Sequence, residues 1–387
     1  MTNLTVVLAK YFINRTILTQ SKMQPHSPPT NHLRYTALLL IICGTPVALA
    51  ANADAAKPNC GASTAAKHIQ LLQPSSPPLK CIYHINTYSR QVCQLRIDFS
   101  MTLAQPSIPD AQNGLWYVQC VNDYFAVNSL RLCGSETAQH IYVPLNGTAG
   151  AQSVELSIIL AARAGRNGHL PIPRWNMVVT QLECLPSAAL RSTLDLAQQE
   201  DDEQGHVDMQ LMAGAPQENM EIEKTVRSIV PHANFSDSSL IAPTGCLQYF
   251  PQPTGTITSF NYNGGGGIYM GNLNYAICFR RPQSTKLLEL KVRYFKLGAE
   301  YSHQKFQELD NYCRPQLHSE GLSEDYLLIP QATIEDSNIR ATHFCGSSIQ
   351  GDTVTSTNPG PLMLIFNSDG NYKAGREVGF ALSYRVV

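Results

Sequence analysis

Ten cysteines follow residue 50: Cys60, Cys81, Cys93, Cys120, Cys133, Cys184, Cys246, Cys278, Cys313 and Cys345. An eleventh, Cys43, lies inside the apolar run ALLLIICGTPVALA at 37–50. An even number of cysteines downstream of such a run implies five disulfides and an oxidising compartment. Zinc is the competing use of cysteine. The chain has no CxxC pair and no HxxxH, so cross-linking is the preferred reading.

The apolar run itself reads as the core of a secretory signal. A polar stretch ending in Arg34 precedes it, and small residues follow, with A-x-A sites at Ala48/Ala50 and Ala51/Ala53. The expected mature start is therefore between Ala50 and Asp54, and 1–50 is assigned as leader and signal peptide. A span needs about 20 apolar residues, so a retained type II anchor is the weaker alternative. The long stretch before Met23 is unusual for a signal, and translation from Met23 would remove it.

Charged residues make up 15% of the chain and the net charge is -1, so no global field draws it to nucleic acid or anionic membrane. With 24 prolines and 25 glycines, short strands joined by many turns are expected in place of long helices. Between Cys184 and Cys246 the stretch 195–224 holds nine acidic residues and one lysine. That balance buries little apolar surface, so 185–243 is expected to be an acidic, flexible linker.

The blocks on either side of that linker read as diverged copies of one unit. CQLRIDF (93–99) parallels LELKVRY (288–294), both alternating apolar and polar as a half-buried strand does. DYFAV (123–127) parallels DYLLI (325–329), and LCGS (132–135) parallels FCGS (344–347). VELSIIL (154–160) and PLMLIF (361–366) correspond, as do WNMVVTQL (175–182) and VGFALSY (378–384). A repeat this long is a duplicated domain and not a solenoid unit.

The second block resembles the CUB domain, a secreted β-sandwich module. The resemblance rests on Cys246, the Gly-containing strand from Gly255 to Phe260, Cys278, Cys313, Asp325-Tyr326, Phe344-Cys345-Gly346, Phe366-Asn367-Ser368-Asp369 and the closing Gly379-Phe380 to Tyr384. It extends less fully to 60–184, which has two further cysteines and reads AARAGRN (161–167) where the Ser-Asp loop belongs. In the second block Cys313 and Asp325 are twelve residues apart, which implies an insertion. The layout is also similar to an insect group of two-CUB secreted proteins. The resemblance implies an all-β chain of two jelly-roll-like antiparallel sandwiches, 60–184 and 244–387, joined by the acidic linker.

The same resemblance implies disulfides Cys60–Cys81, Cys120–Cys133, Cys246–Cys278 and Cys313–Cys345, which leaves Cys93 with Cys184. Neither of the last two has a counterpart in the second copy, as expected of a bonded pair. Many CUB domains hold calcium between acidic loops and receive a partner's lysine there. Asp325 and Asp369 match two of those positions, and Glu308, five residues before Cys313, matches a third less closely. Carboxylate oxygens suit a hard cation. Only Asp123 survives in the first copy, so no ion is expected there.

No catalytic constellation is present: there is no HExxH and no GxSxG. The run Gly264–Gly267 lacks a following GK[ST] and reads as a flexible hairpin tip. Asn146 and Asn234 head glycosylation sequons, whereas Asn3 and Asn14 precede the signal. The expected function is a non-catalytic extracellular binding protein, not an enzyme, whose partner is an extracellular protein or glycoprotein. The alternatives are an extracellular hydrolase or protease-associated inhibitor with an unrecognised site, and a structural component of matrix or secretory fluid. No other cofactor, nucleic-acid partner or mature membrane span is expected.

Overall fold

The computed structural model of the chain describes residues 55–145, 152–184, 237–298, 309–313, 325–372 and 374–387. These fall in one compact unit, Leu49–Val387. The signal segment, the acidic stretch 195–224, Asn146, Asn234 and Glu308 lie outside the described residues.

The first half contributes nine strands. They are β1 (Ser63–Thr64), β2 (His68–Leu72), β3 (Lys80–Asn86), β4 (Val92–Thr102), β5 (Tyr124–Val127), β6 (Leu130–Leu132), β7 (His140–Pro144), β8 (Ser153–Ile159) and β9 (Arg174–Glu183). Nine more follow: β10 (Cys246–Phe250), β11 (Thr254–Thr258), β12 (Asn274–Phe279), β13 (Leu288–Lys296), β14 (Tyr326–Ile334), β15 (Ile339–Phe344), β16 (Thr353–Ser356), β17 (Met363–Asn367) and β18 (Gly379–Val386). Among the described residues the only α-helix is the short α1 (Leu309–Cys313).

In the first half a five-stranded sheet, β1-β3-β8-β5-β6, faces a four-stranded one, β2-β9-β4-β7. Period-two alternation makes each sheet one-sided: Leu95, Ile97, Phe99 and Met101 of β4 are buried, and the residues between them are not. Phe99 and Phe125 meet edge to face across the two layers, ring centroids 5.1 Å apart. Each such buried aromatic stabilises the core by roughly 1.5–3 kcal/mol.

In the second half the strands form one continuous ladder. β14 pairs β17 through Tyr326–Leu328 and β16 through Ala332–Ile334, with a register shift between. One strand thus turns the corner from one layer of the sandwich to the other, as an irregularity in pairing permits.

The two halves share one pairing scheme. β4 pairs β9 as β13 pairs β18, β5 pairs β8 as β14 pairs β17, and β3 pairs β8 as β12 pairs β17. Each half also has one parallel pair, β1 with β3 and β10 with β12, which departs from the antiparallel expectation. In both cases a disulfide ties the same neighbouring segments, Cys60–Cys81 and Cys246–Cys278. The others are Cys93–Cys184, Cys120–Cys133 and Cys313–Cys345.

Two local expectations change. Residues 237–243, read as linker, pack on the first sandwich because their polar groups find partners there. Asp237 accepts from Lys67 Nζ at 2.7 Å, while Gln94 and the Ala242 backbone exchange hydrogen bonds of 2.7 and 2.9 Å. The glycine run lies on the connection from β11 to β12, which pair different strands, so it is not a hairpin tip.

The sandwiches meet along a polar seam. The Gln139 side-chain amide donates to Thr258 O and Oγ1 and to Ser259 O, and Gln248 Nε2 donates to Gln139 Oε1 at 2.8 Å. Asn261 accepts from Ser135 N at 2.9 Å and donates to Gln105 Oε1 at 2.8 Å. Gly134 makes this approach possible: its φ is +78°, and a Cβ there would lie 2.1 Å from Asn261 Oδ1. Beside the seam Tyr142 and Leu182 of the first sandwich cluster with Tyr249 and Cys278 of the second.

Candidate functional site

Asp325 ends the segment leading into β14 and is 2% exposed. Its Oδ2 accepts the Tyr269 hydroxyl at 2.7 Å, and its Oδ1 accepts the Asp369 backbone N–H at 2.6 Å. Two acidic residues 44 apart in sequence therefore share one end of the sandwich. The Asp369 carboxylate accepts from the Asn371 backbone at 2.6 Å and from its side chain at 3.2 Å. Such local bonds hold a short polar loop in a turn.

A second loop is laced to this one. Ser368 Oγ donates to Met270 O at 2.8 Å and accepts from Leu273 N at 2.9 Å, and Asn272 N donates to Asp369 O at 3.0 Å. Burial, and then the nearby charges of Asp325, Glu377 and Asp369, push the Tyr269 hydroxyl well above its ordinary value. Tyr269 thus stays a neutral donor to Asp325. Tyr269 and Glu377 were absent from the expected residue set, because neither sits in the stretches that carry the resemblance.

These residues fit a hard cation in part. Asp325 and Asp369 are oxygen donors on adjoining loops, whereas calcium takes six to eight oxygens. Among the described residues no group of three His, Cys, Asp or Glu side chains is arranged to hold a metal ion. The third candidate, Glu308, lies outside those residues.

The equivalent end of the first sandwich is built differently. Asp123, 1% exposed, accepts from Ala104 N at 3.3 Å and Ala161 N at 3.0 Å. The bond from Ala161 N matches that from Asp369 N in the second copy. Arg163 then donates to both Asp123 oxygens, through Nη1 to Oδ1 at 3.0 Å and through Nη2 to Oδ2. Its other bonds, to Ala161 O and Pro171 O, fix the guanidinium over the carboxylate. A permanent internal cation therefore faces Asp123.

The model of the animal CUB domain matches residues 243–387. The second sandwich is thus a CUB domain, and the first repeats its strand pairing. Solved structures that match include the CUB1-EGF-CUB2 domains of rat MASP-1, at 13% identity and a TM-score of 0.24, covering 84% of this chain and 99% of that one. The CUB1-EGF-CUB2 domain of human MASP-1/3 matches at 12% identity and a TM-score of 0.23, covering 83% of this chain and 100% of that one. No curated protein matches.

Proposed function

We propose that the protein is a secreted, non-catalytic pair of protein-binding modules, in which the second module captures a basic side chain of an extracellular partner. CUB domains are for the most part extracellular interaction modules, and five disulfides suit that compartment. The observation that carries the reading is the convergence of Asp325 and Asp369 on adjoining loops of the second sandwich. No described helix is long and apolar enough to cross a membrane.

In this reading Asp325, Asp369 and Glu308 hold a calcium ion, which orders the loops and keeps the carboxylates poised for a lysine. Sites of extracellular modules bind calcium at about 10⁻⁴–10⁻³ M, so such a site fills outside the cell. Cleavage between Ala50 and Asp54, glycosylation of Asn146 and Asn234, and the division into 60–184, an acidic linker and 244–387 belong to the same reading.

Calorimetric titration of the full secreted chain with calcium tests the ion. The expected result is heat at millimolar calcium in the parent and its loss in Asp369→Ala. An unchanged isotherm in that variant rejects the assignment. Cross-linking in extracellular fluid, followed by partner identification, tests the binding role. Self-association alone points to a structural component, and turnover of a co-purified substrate points to an enzyme.

A further inference from the structure

The first sandwich reaches the edge of the second sandwich's acidic loops. Gly271 N donates to Val118 O at 2.9 Å, across the two halves. Tyr117 packs over both loops: a Cβ on Gly271 or Gly370 would lie 3.4 or 3.6 Å from its own Cβ. Glycine matters at Gly271 for another contact: a Cβ there would lie 2.8 Å from Asp369 O of the adjoining loop.

Beside that contact run two adjoining depressions of about 360 and 380 Å³ that share Asn272 and Leu273. The first is walled by Tyr117 and Arg131 of the first sandwich, and the second by Asn274 and Asp369 of the second. Together they form a groove across the seam, lined by side-chain amides and backbone groups. Such a lining suits the regularly spaced donors and acceptors of an extended polypeptide.

The charge along the groove is not uniform. Asp369 stands at one end. At the other is Arg131, whose guanidinium carbon lies over the Tyr124 ring, 4.9 Å from its centroid, and which has no carboxylate partner among the described residues. A guanidinium resting over an aromatic ring is restrained there and keeps its N–H groups for a carboxylate.

We propose that this groove is a composite docking site for an extended polypeptide segment that sets a basic side chain at Asp369 and an acidic side chain at Arg131. The second sandwich then supplies anchorage and the first reads the partner's sequence. The Asp369 half rests on the proposed function; the Arg131 half does not. Complementary charges at two fixed points discriminate against partners that present the wrong sign at either one.

Random dodecapeptides displayed on phage, panned on the full chain in millimolar calcium, test this. Enriched peptides are expected to carry Lys or Arg and Asp or Glu at one constant spacing. A synthetic representative should lose about tenfold or more in affinity on Arg131→Glu, and exchanging its acidic residue for lysine should restore binding to that variant. Arg131→Gln, with the parent's thermal midpoint, should show an intermediate loss. Enrichment of a basic residue with no acidic preference, or indifference to both Arg131 variants, overturns the composite site and leaves basic-side-chain capture standing. Enrichment without a basic residue, or no enrichment, overturns both.

Discussion

Arg163 covers Asp123 with both terminal nitrogens, at the end of the first sandwich where the second sandwich sets Asp369 beside Asp325. The Asp123 side chain is 0% exposed and that of Arg163 is 29% exposed. One copy thus carries its positive charge covalently, and the other presents acidic loops.

Arg163→Ala leaves a buried carboxylate facing two backbone N–H groups and no cation. Breaking a buried pair from one side costs about 3–5 kcal/mol. Denaturant unfolding of the full chain should show a loss of that order, with the smaller loss in Arg163→Lys, which keeps the charge but not the two-pronged geometry. A midpoint unchanged in both variants refutes the role.

Gly134→Ala should destabilise the chain by at least 1–3 kcal/mol. The variant must accept a positive φ and also displace Asn261 from across the seam. Pairing it with Asn261→Ala should recover only part of the loss in thermal unfolding, because the backbone strain remains. Full recovery would mean that the clash alone matters.

Glu136 is 0% exposed at the seam, where its Oε2 accepts from Asn261 N at 3.2 Å and its Oε1 has no hydrogen-bond partner among the described residues. The buried Tyr275 hydroxyl lies within its electrostatic reach. Burial holds the Glu136 carboxyl well above its ordinary value, so the folded state binds its proton more tightly than the unfolded one. The sign follows: this contribution to stability is full below about pH 4.3, the unfolded value, and is lost as pH rises from there through the folded value. His140 works oppositely. Burial first, then Arg96, lowers it to about 4, so its contribution is lost as pH falls from about 6.5 toward that value. The comparison must therefore be between variants at each pH. Glu136→Gln should gain on the parent as pH rises, with a slope of up to about 1.4 kcal/mol per pH unit. Parallel pH profiles would show that the carboxyl is not held neutral.

Cys93–Cys184 ties the start of β4 to the end of β9, 91 residues apart. Replacing both with serine should cost about 2–4 kcal/mol in denaturant unfolding. A midpoint that stays in place would mean the strand pairing already holds these ends.

The parts of the fold visible in the sequence are those set by local alternation. β4 and most of β13 and β9 show it because one face of each is buried there, so the hydrophobic period of two survives, and in β18 Phe380, Leu382 and Tyr384 keep the same period in sequence. The loop acids Asp123 and Asp325 stand out because each immediately precedes an aromatic-containing strand. Arg163 does not, since its partner is forty residues away and its placement depends on how the loop folds back. Glu136 follows the LCGS turn and looks like any surface loop acid. Its partner at the seam, Asn261, arrives from more than a hundred residues later. The packing of 237–243 was hidden for the same reason: its partners, Lys67 and Gln94, are distant in sequence.

The seam has a consequence for how such a chain can be shortened. Tyr142 and Leu182 of one half pack in a single cluster with Tyr249 and Cys278 of the other. A product cut to one half would lose that shared cluster and the hydrogen bonds of Gln139 and Gln248 across the seam, and would present apolar surface to water and to neighbouring chains. A truncation that spares every strand of one sandwich therefore still removes part of that sandwich's packing.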